Sequence, residues 1–207
     1  MLEAVILFAV AAAVLTVTPG LDTVLVLRTS LAEGARPAFL AGLGIATGVL
    51  AWGLLVALGL GALLTTSEAA YHALRVVGAA YLIWIGLRLL RTPRRALGAA
   101  SGTSGQRQDA AQTWFMRGLL TNLLNPKVGL FYLTFLPQFI PAGASVALTS
   151  GLLALVHAAE SVLWFALLSA LAGPLGGWLH QPGRIAAIDR LTGGLFVAFG
   201  LRLAWQD

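Results

Sequence analysis

The sequence predicts an all-α integral membrane protein, and its composition and hydropathy pattern lead to that fold class. Of the 207 residues, 58% are hydrophobic and only 10% are charged, whereas soluble domains carry about 25% charged residues. The mean hydropathy is +0.87. The apolar stretches lack the alternating segments of about ten residues that are typical of outer-membrane barrels. These features exclude a soluble globular domain, a nucleic-acid-binding module and a disordered chain.

Stretches almost free of charged residues predict about six transmembrane helices, because one span needs about 20 apolar residues. Three fall in the first half of the chain and three in the second, and the second span is followed within its stretch by an apolar turn. The predicted stretches are residues 4–27, 37–67, 69–90, 114–135, 146–171 and 185–204.

A polar segment divides the chain into two halves. Residues 91–112 are rich in Gly, Ser, Gln and Arg and predict a linker between one three-helix unit at 1–90 and another at 113–207. With six spans, this linker and the loops after spans one and five face the same side. That side is predicted to be cytoplasmic and both termini periplasmic, because these loops hold most of the basic residues: Arg28, Arg36, Arg91, Arg94, Arg95, Arg107 and Arg184. Arg190, near the start of the last span, can be added to them.

Prolines interrupt the first span of each half. Thr18-Pro19-Gly20 lies in span one and Asn125-Pro126 in span four. A proline inside a helix removes one backbone donor and frees a carbonyl, which in a membrane must be satisfied or line a polar cavity. These five residues are therefore candidate substrate-binding or proton-coupling positions, and the alternative is a kink that serves packing alone.

One short identity, together with the matching proline motifs, suggests that the halves are related. Residues 86–89 read Gly-Leu-Arg-Leu, and residues 200–203 repeat the same four letters in the last span. Because each half has an odd number of spans, related halves must lie in opposite orientations. The sequence thus predicts two inverted three-helix repeats, an arrangement found in secondary transporters.

Asp22 and Lys127 follow the two proline motifs and are the charges of greatest interest. A charge at membrane depth is costly and usually faces the interior of the bundle with a partner. The carboxylate of Asp22 can hold an ammonium group or a proton, and the ammonium of Lys127 can hold a carboxylate. The alternative is that the two side chains pair with each other and only join the halves.

His157 and Glu160 are three residues apart in the fifth span and share one face of the helix. They are candidates for a proton relay, and the alternative is a hydrated pair without a transport role. The sequence has no cysteine, no metal-ligand cluster and no convincing pair of nucleophile and base. We therefore expect no metal, no cofactor and no enzymatic activity.

Gly44 and Gly48 form a Gly-x-x-x-Gly motif in the second span. Such motifs let two helices approach closely. The ordinary interpretation is packing inside one protomer, and the alternative is the interface of a homo-oligomer.

The chain resembles the lysine-exporter and homoserine/threonine-exporter (LysE/RhtB) family. The resemblance rests on residues 15–48, which open LTVTPGLDTVLVLR, and on YLIWIGLRLLR, GLLTNLLNPKVGLFYLTFLPQFI and LTGGLFVAFGLRLA further along. It extends over nearly the whole chain, although Leu21 stands where the family usually has a second proline.

This resemblance implies a multi-pass transporter of the bacterial inner membrane that exports amino acids or their derivatives. It further implies that the proton motive force drives export. Its partners are then a small amino-acid substrate and membrane lipid, and not nucleic acid. The alternatives are an ion channel or ion carrier of a related superfamily and, with less support, a membrane enzyme or assembly factor.

Overall fold

The computed structural model describes residues 1–66, 68–93, 111–172 and 183–205, and every regular element in these ranges is helical. The prediction of an all-α protein is therefore confirmed for this part of the chain. The helices are α1 (Leu2–Val17), α2 (Leu21–Glu33), α3 (Ala35–Thr66), α4 (Glu68–Arg91), α5 (Ala111–Leu123), α6 (Pro126–Leu130), α7 (Val146–Ala170) and α8 (Arg184–Ala204).

Two of the described helices are long and apolar enough to cross a membrane. They are the segment Ala35–Gly59 of α3 and the whole of α7, and a third crossing results if α1 and α2 form one broken span. The chain bends by 52° at the break between α1 and α2. Apolar helices of this length agree with a membrane protein.

The predicted interruptions occur at both proline motifs. The helix in the predicted first span ends at Val17 and a new helix begins at Leu21, because Pro19 cannot donate a backbone hydrogen bond. The helix in the predicted fourth span ends at Leu123 and a new one begins at Pro126. Asn125 caps the new helix, since its side-chain oxygen accepts a 3.1 Å hydrogen bond from the backbone N–H of Lys127.

The chain after α6 departs from regular α-helix. Residues Phe131–Phe135 form a π-helical turn and Leu136–Phe139 a 3₁₀ turn. Two side chains form hydrogen bonds with backbone carbonyls in this segment. The Thr134 hydroxyl donates to Leu130 O at 2.7 Å, and the Gln138 amide donates to Thr134 O at 2.7 Å. The fourth predicted span is thus a chain of short helical pieces.

The predicted apolar turn at the end of the second span is not found in the described part of that stretch. Instead α3 runs without interruption for 32 residues, which corresponds to about 48 Å at 1.5 Å per residue. After Pro37 this helix contains no proline and no charged residue, so nothing in its sequence ends it before Thr66.

The long helix α3 lies at the centre of the bundle. It packs extensively against α5 and α7, and α4 packs against α8. A large apolar cluster joins α1, α3, α7 and the segment after α6, and a second cluster joins α2, α3, α7 and the start of α8.

The Gly-x-x-x-Gly motif serves packing inside the protomer. A Cβ atom on Gly44 would lie 2.0 Å from the backbone oxygen of Phe115, and one on Gly48 would lie 2.6 Å from the side chain of Asn122. These glycines therefore allow α5 to lie directly against α3. The alternative, an oligomer interface formed by these two glycines, is wrong because the face is already covered.

The linker prediction falls mostly outside the described residues. Helix α4 ends at Arg91 and α5 begins at Ala111, and residues 94–110 lie outside the described ranges.

Candidate functional site

The side chain of Lys127 joins the two helix interruptions. Its ammonium group donates to Leu15 O at 2.9 Å and to Thr18 O at 3.0 Å. In an unbroken helix, Leu15 O would accept from the N–H of residue 19, and that residue is Pro19. Lys127 therefore supplies a donor to a carbonyl that the first proline motif leaves without one.

Gly20 provides the space for this contact. A Cβ atom at position 20 would lie 3.2 Å from the Lys127 Nζ atom, which is closer than ordinary van der Waals contact. A side chain at position 20 would therefore press on the ammonium group where it approaches the backbone of the first motif.

The second motif frees a carbonyl in the same way. Pro126 leaves Asn122 O without its helical donor, and this oxygen accepts a 3.0 Å bond from the N–H of Asn125. The indole N–H of Trp52 also points to it at 3.5 Å. Both interruptions are thus compensated by groups from elsewhere in the bundle, as the low-dielectric setting requires.

Asp22 and Lys127 line one small cavity. Asp22 is buried, and its Oδ2 atom accepts a 2.9 Å hydrogen bond from the side-chain amide of Asn122, while no hydrogen-bond partner reaches its Oδ1 atom within the described structure. The cavity has a volume of about 20 Å³, enough for one or two water molecules. Other polar groups around it come from α1, α2, α5 and α7: Thr16, Thr23, Asn122, His157 and Ser161.

His157 lies at the centre of a buried hydrogen-bonded chain. Its Nε2 atom lies 3.0 Å from the hydroxyl of Thr16, and its Nδ1 atom lies 3.1 Å from the hydroxyl of Tyr132. The rings of Tyr132 and His157 are stacked, with centroids 5.7 Å apart. Both ring nitrogens are therefore engaged by Thr16 and Tyr132, and Glu160 is not among their hydrogen-bond partners.

Glu160 faces a different space. It is half-buried and lines a groove between α1 and α7, whereas His157 lines the small cavity. Thr16 is common to the linings of both spaces. The i, i+3 spacing thus places the two side chains on either side of Thr16.

Thr18 connects the first motif to the last helix. Its hydroxyl donates to Val14 O and lies 2.9 Å from the hydroxyl of Thr192 on α8. Asp189, one turn earlier on α8, is completely buried. The first interruption is therefore held by residues from both halves of the chain.

Some of these residues escaped the sequence analysis. Asn122 could have been found, because it lies four residues before Pro126 and so carries the carbonyl that this proline frees. Asp189 could also have been found, because it is an acidic residue inside the predicted span 185–204. Tyr132 and Thr192 gave no comparable signal, since their partners are distant in sequence. No group of three or more His, Asp or Glu residues that could bind a metal occurs in the described ranges.

Comparison with known proteins decides the family. Residues 13–207 match the family described as "LysE type translocator". The chain belongs to the LysE family. The resemblance noted in the sequence is therefore confirmed.

Several relatives of this LysE-family chain cover nearly its full length. A leucine efflux protein of Enterobacter sp. is 31% identical over 95% of this chain and 93% of its own length. A homoserine/homoserine lactone efflux protein of Salmonella typhi is 31% identical over 92% and 90%. An uncharacterized membrane protein of Pseudomonas aeruginosa is 34% identical over 90% and 88%. No solved structure matches the chain.

Proposed function

We propose that this LysE-family protein exports amino acids or amino-acid derivatives across the bacterial inner membrane, driven by the proton motive force. Relatives of similar length are named as leucine, threonine and homoserine efflux proteins. Their names support an amino-acid substrate for this chain, and the chemistry of the small cavity supports it independently.

The observation that carries the proposal is the placement of opposite charges at one cavity. Asp22 and Lys127 both line it, and an amino acid carries an ammonium group and a carboxylate. The free Oδ1 atom of Asp22 suits the substrate ammonium. The Lys127 ammonium, held at the first interruption, suits the substrate carboxylate. A zwitterion bound this way would add no net charge to the bundle.

The size of the cavity favours an occluded conformation. About 20 Å³ is too small for an amino acid, so binding requires the surrounding helices to separate. The proline motifs are suited to this movement, because the segments on either side of them are held by side-chain bonds instead of continuous helical bonds. We propose that breaking the Lys127–Leu15 contact accompanies opening.

The contact between α4 and α8 supports the proposed inverted repeats. A Cβ atom on Gly86 would meet Gly193 and Val197, and one on Gly200 would meet Ala79 and Ile83. Shifting every position of α4 by 114 residues, which takes Gly86 to Gly200, also takes Ala79 to Gly193 and Ile83 to Val197. The contact is therefore reciprocal, as expected across a two-fold axis.

The direction of these helices is also informative. As positions rise from 79 to 86 along α4, their partners fall from 200 to 193 along α8, so the two helices are antiparallel. A two-fold axis that relates antiparallel helices lies perpendicular to them. For helices that cross a membrane, this axis lies in the membrane plane, which is the symmetry of inverted repeats.

The proposed proton coupling rests on two groups beside the cavity. The chain Thr16–His157–Tyr132 connects α1, α7 and the π-helical turn, and Asp22 provides a carboxylate at the cavity itself. Hydrogen-bonded chains of this type can move protons between buried groups. We propose that protonation of Asp22 releases the substrate ammonium.

The proposal is tested by transport in proteoliposomes that contain the purified protein. Vesicles loaded with labelled leucine, threonine or homoserine are given a proton gradient, and release of label is measured against empty liposomes. We expect release that is abolished by a protonophore. An electrical current without amino-acid flux would instead favour the ion-channel alternative and overturn the proposal.

A further inference from the structure

A groove between α1 and α7 offers a second binding site beside the small cavity. Its volume is about 290 Å³, close to the lower end of the range for small-molecule pockets. The lining combines one carboxylate, one indole and one hydroxyl with aliphatic side chains: Ala13, Thr16, Val17, Glu160, Leu163, Trp164 and Leu167.

Two polar atoms of this lining are buried without a hydrogen-bond partner in the described structure. They are Glu160 Oε2, an acceptor, and Trp164 Nε1, a donor. The two residues lie one turn apart on α7 and so share a face. A buried polar group without a partner is unfavourable, so a ligand that satisfies both atoms gains from binding here.

The charge of the groove differs from that of the cavity. The cavity lining holds both Asp22 and Lys127, whereas the groove lining given by the described residues holds Glu160 and no basic side chain. An isolated carboxylate at membrane depth is unfavourable. A ligand with a single positive charge would neutralise it, and a zwitterion would bring a second carboxylate into an apolar site.

We propose that this groove binds a primary organic ammonium that carries an uncharged carbonyl and a branched aliphatic group, such as the amide or ester of an apolar α-amino acid. Because both polar atoms are buried, the Glu160 and Trp164 side chains turn toward the groove on binding; the ammonium then donates to Glu160 Oε2, and the carbonyl accepts from Trp164 Nε1. The aliphatic group packs against Leu163 and Leu167. Thr16 separates this site from the Asp22–Lys127 cavity.

The exposure of the aliphatic walls indicates how the ligand arrives. Leu163 is 72% exposed, Leu167 46% and Val17 42%, and in a membrane protein these surfaces contact lipid. An amine with an aliphatic group partitions into the bilayer more readily than a zwitterion. The groove is therefore reached from the membrane.

The test compares three ligands on the full-length protein in lipid nanodiscs by isothermal titration calorimetry. Leucinamide has the ammonium, the carbonyl and the aliphatic group; isoamylamine lacks the carbonyl; leucine is a zwitterion. We expect leucinamide to bind more tightly than leucine at the groove. Glu160→Gln should weaken leucinamide binding by about tenfold or more, because the charge-assisted bond is lost. The matched control Glu3→Gln, which alters an exposed carboxylate outside the groove, should not.

A second variant separates the indole from the carboxylate. Trp164→Phe keeps an aromatic ring but removes the N–H, so leucinamide should bind about two- to tenfold more weakly. Isoamylamine should be unaffected because it has no acceptor for that N–H. This comparison between two ligands on one variant remains informative even if Glu160→Gln does not fold.

Two results would overturn the proposal. One is leucinamide binding that is unchanged in Glu160→Gln and Trp164→Phe. The other is binding that is lost in Asp22→Asn, which would assign leucinamide to the central cavity. Because binding is measured and not transport, failure of amino-acid export would leave this proposal standing.

Discussion

The Lys127 ammonium group lies 2.9 Å from Leu15 O, the carbonyl whose helical donor is missing because residue 19 is proline. These two residues are 112 positions apart, in different halves of the chain. The contact links the two proline motifs. Lys127, directly after Pro126, donates the hydrogen bond that Leu15 O in α1 lacks because of Pro19. A movement of one motif must therefore disturb the other.

Replacement of Lys127 by Met tests this dependence. The apolar side chain keeps most of the volume but leaves Leu15 O and Thr18 O without the ammonium donor. Each unpaired buried carbonyl costs about 1–3 kcal/mol, so we expect a lower midpoint of thermal unfolding in detergent and no transport. Lys127→Arg, which retains donors, should be more stable than Lys127→Met. Equal stability of Lys127→Met and the unaltered protein would contradict the assigned contact.

Replacement of Asp22 by Asn separates substrate binding from support of the fold. Asn keeps an oxygen that can accept from Asn122, and it removes the charge. We expect normal amounts of protein in the membrane and loss of proton-driven export. The informative comparison is the double variant Asp22→Asn with Lys127→Met. Export by that double variant would remove both residues from the substrate site.

Close packing of α3 and α5 gives a prediction about stability alone. Gly44→Ala places a Cβ 2.0 Å from the backbone oxygen of Phe115, so the helices must separate. We expect a marked drop in thermal stability or in the yield of folded protein. Gly59→Ala on the same helix is the matched control, because nothing lies within 4 Å of its added Cβ. A similar loss from both substitutions would show that the effect does not come from this contact.

The Pro126 motif makes a further prediction about transport. Pro126→Ala restores a backbone N–H that can bond to Asn122 O, so α5 and α6 can join into one helix. We expect the protein to be produced and folded, as judged by gel filtration, with reduced amino-acid export. Export at the normal rate would indicate that the interruption serves packing alone.

The sequence predicts the helix interruptions well because the effect of proline is local. Pro19 and Pro126 remove donors whatever the surrounding structure, and both breaks occur where expected. The sequence could not predict the Lys127–Leu15 contact, because it depends on how the two halves pack. The sequence also could not show that His157 and Glu160 line different spaces. Residues three apart on a helix differ in direction by about 60°, which is enough to place them on opposite sides of Thr16.

The last prediction concerns topology. Six spans with a cytoplasmic linker place residue 104 inside the cell and the loop between the π-helical segment and α7 outside. The chain has no cysteine, so single cysteines can be introduced without background. We therefore propose the variants Ser104→Cys in the linker and Ala142→Cys in the exposed loop before α7. A membrane-impermeant maleimide should label Ala142→Cys in intact spheroplasts and should label Ser104→Cys only after the membrane is opened.

The outcomes of that experiment are distinct because a single membrane crossing separates the two positions. Labelling of both variants from the same side would remove the crossing formed by α5 and α6, and with it the inverted repeat. Reversed labelling, with Ser104→Cys outside, would keep the repeat but contradict the orientation drawn from the arginines in the linker. With the expected labelling, the interrupted fourth span crosses from the cytoplasm outward and the first crosses inward. The two proline motifs would then meet between antiparallel segments, which is the arrangement that lets Lys127 reach the carbonyl of Leu15.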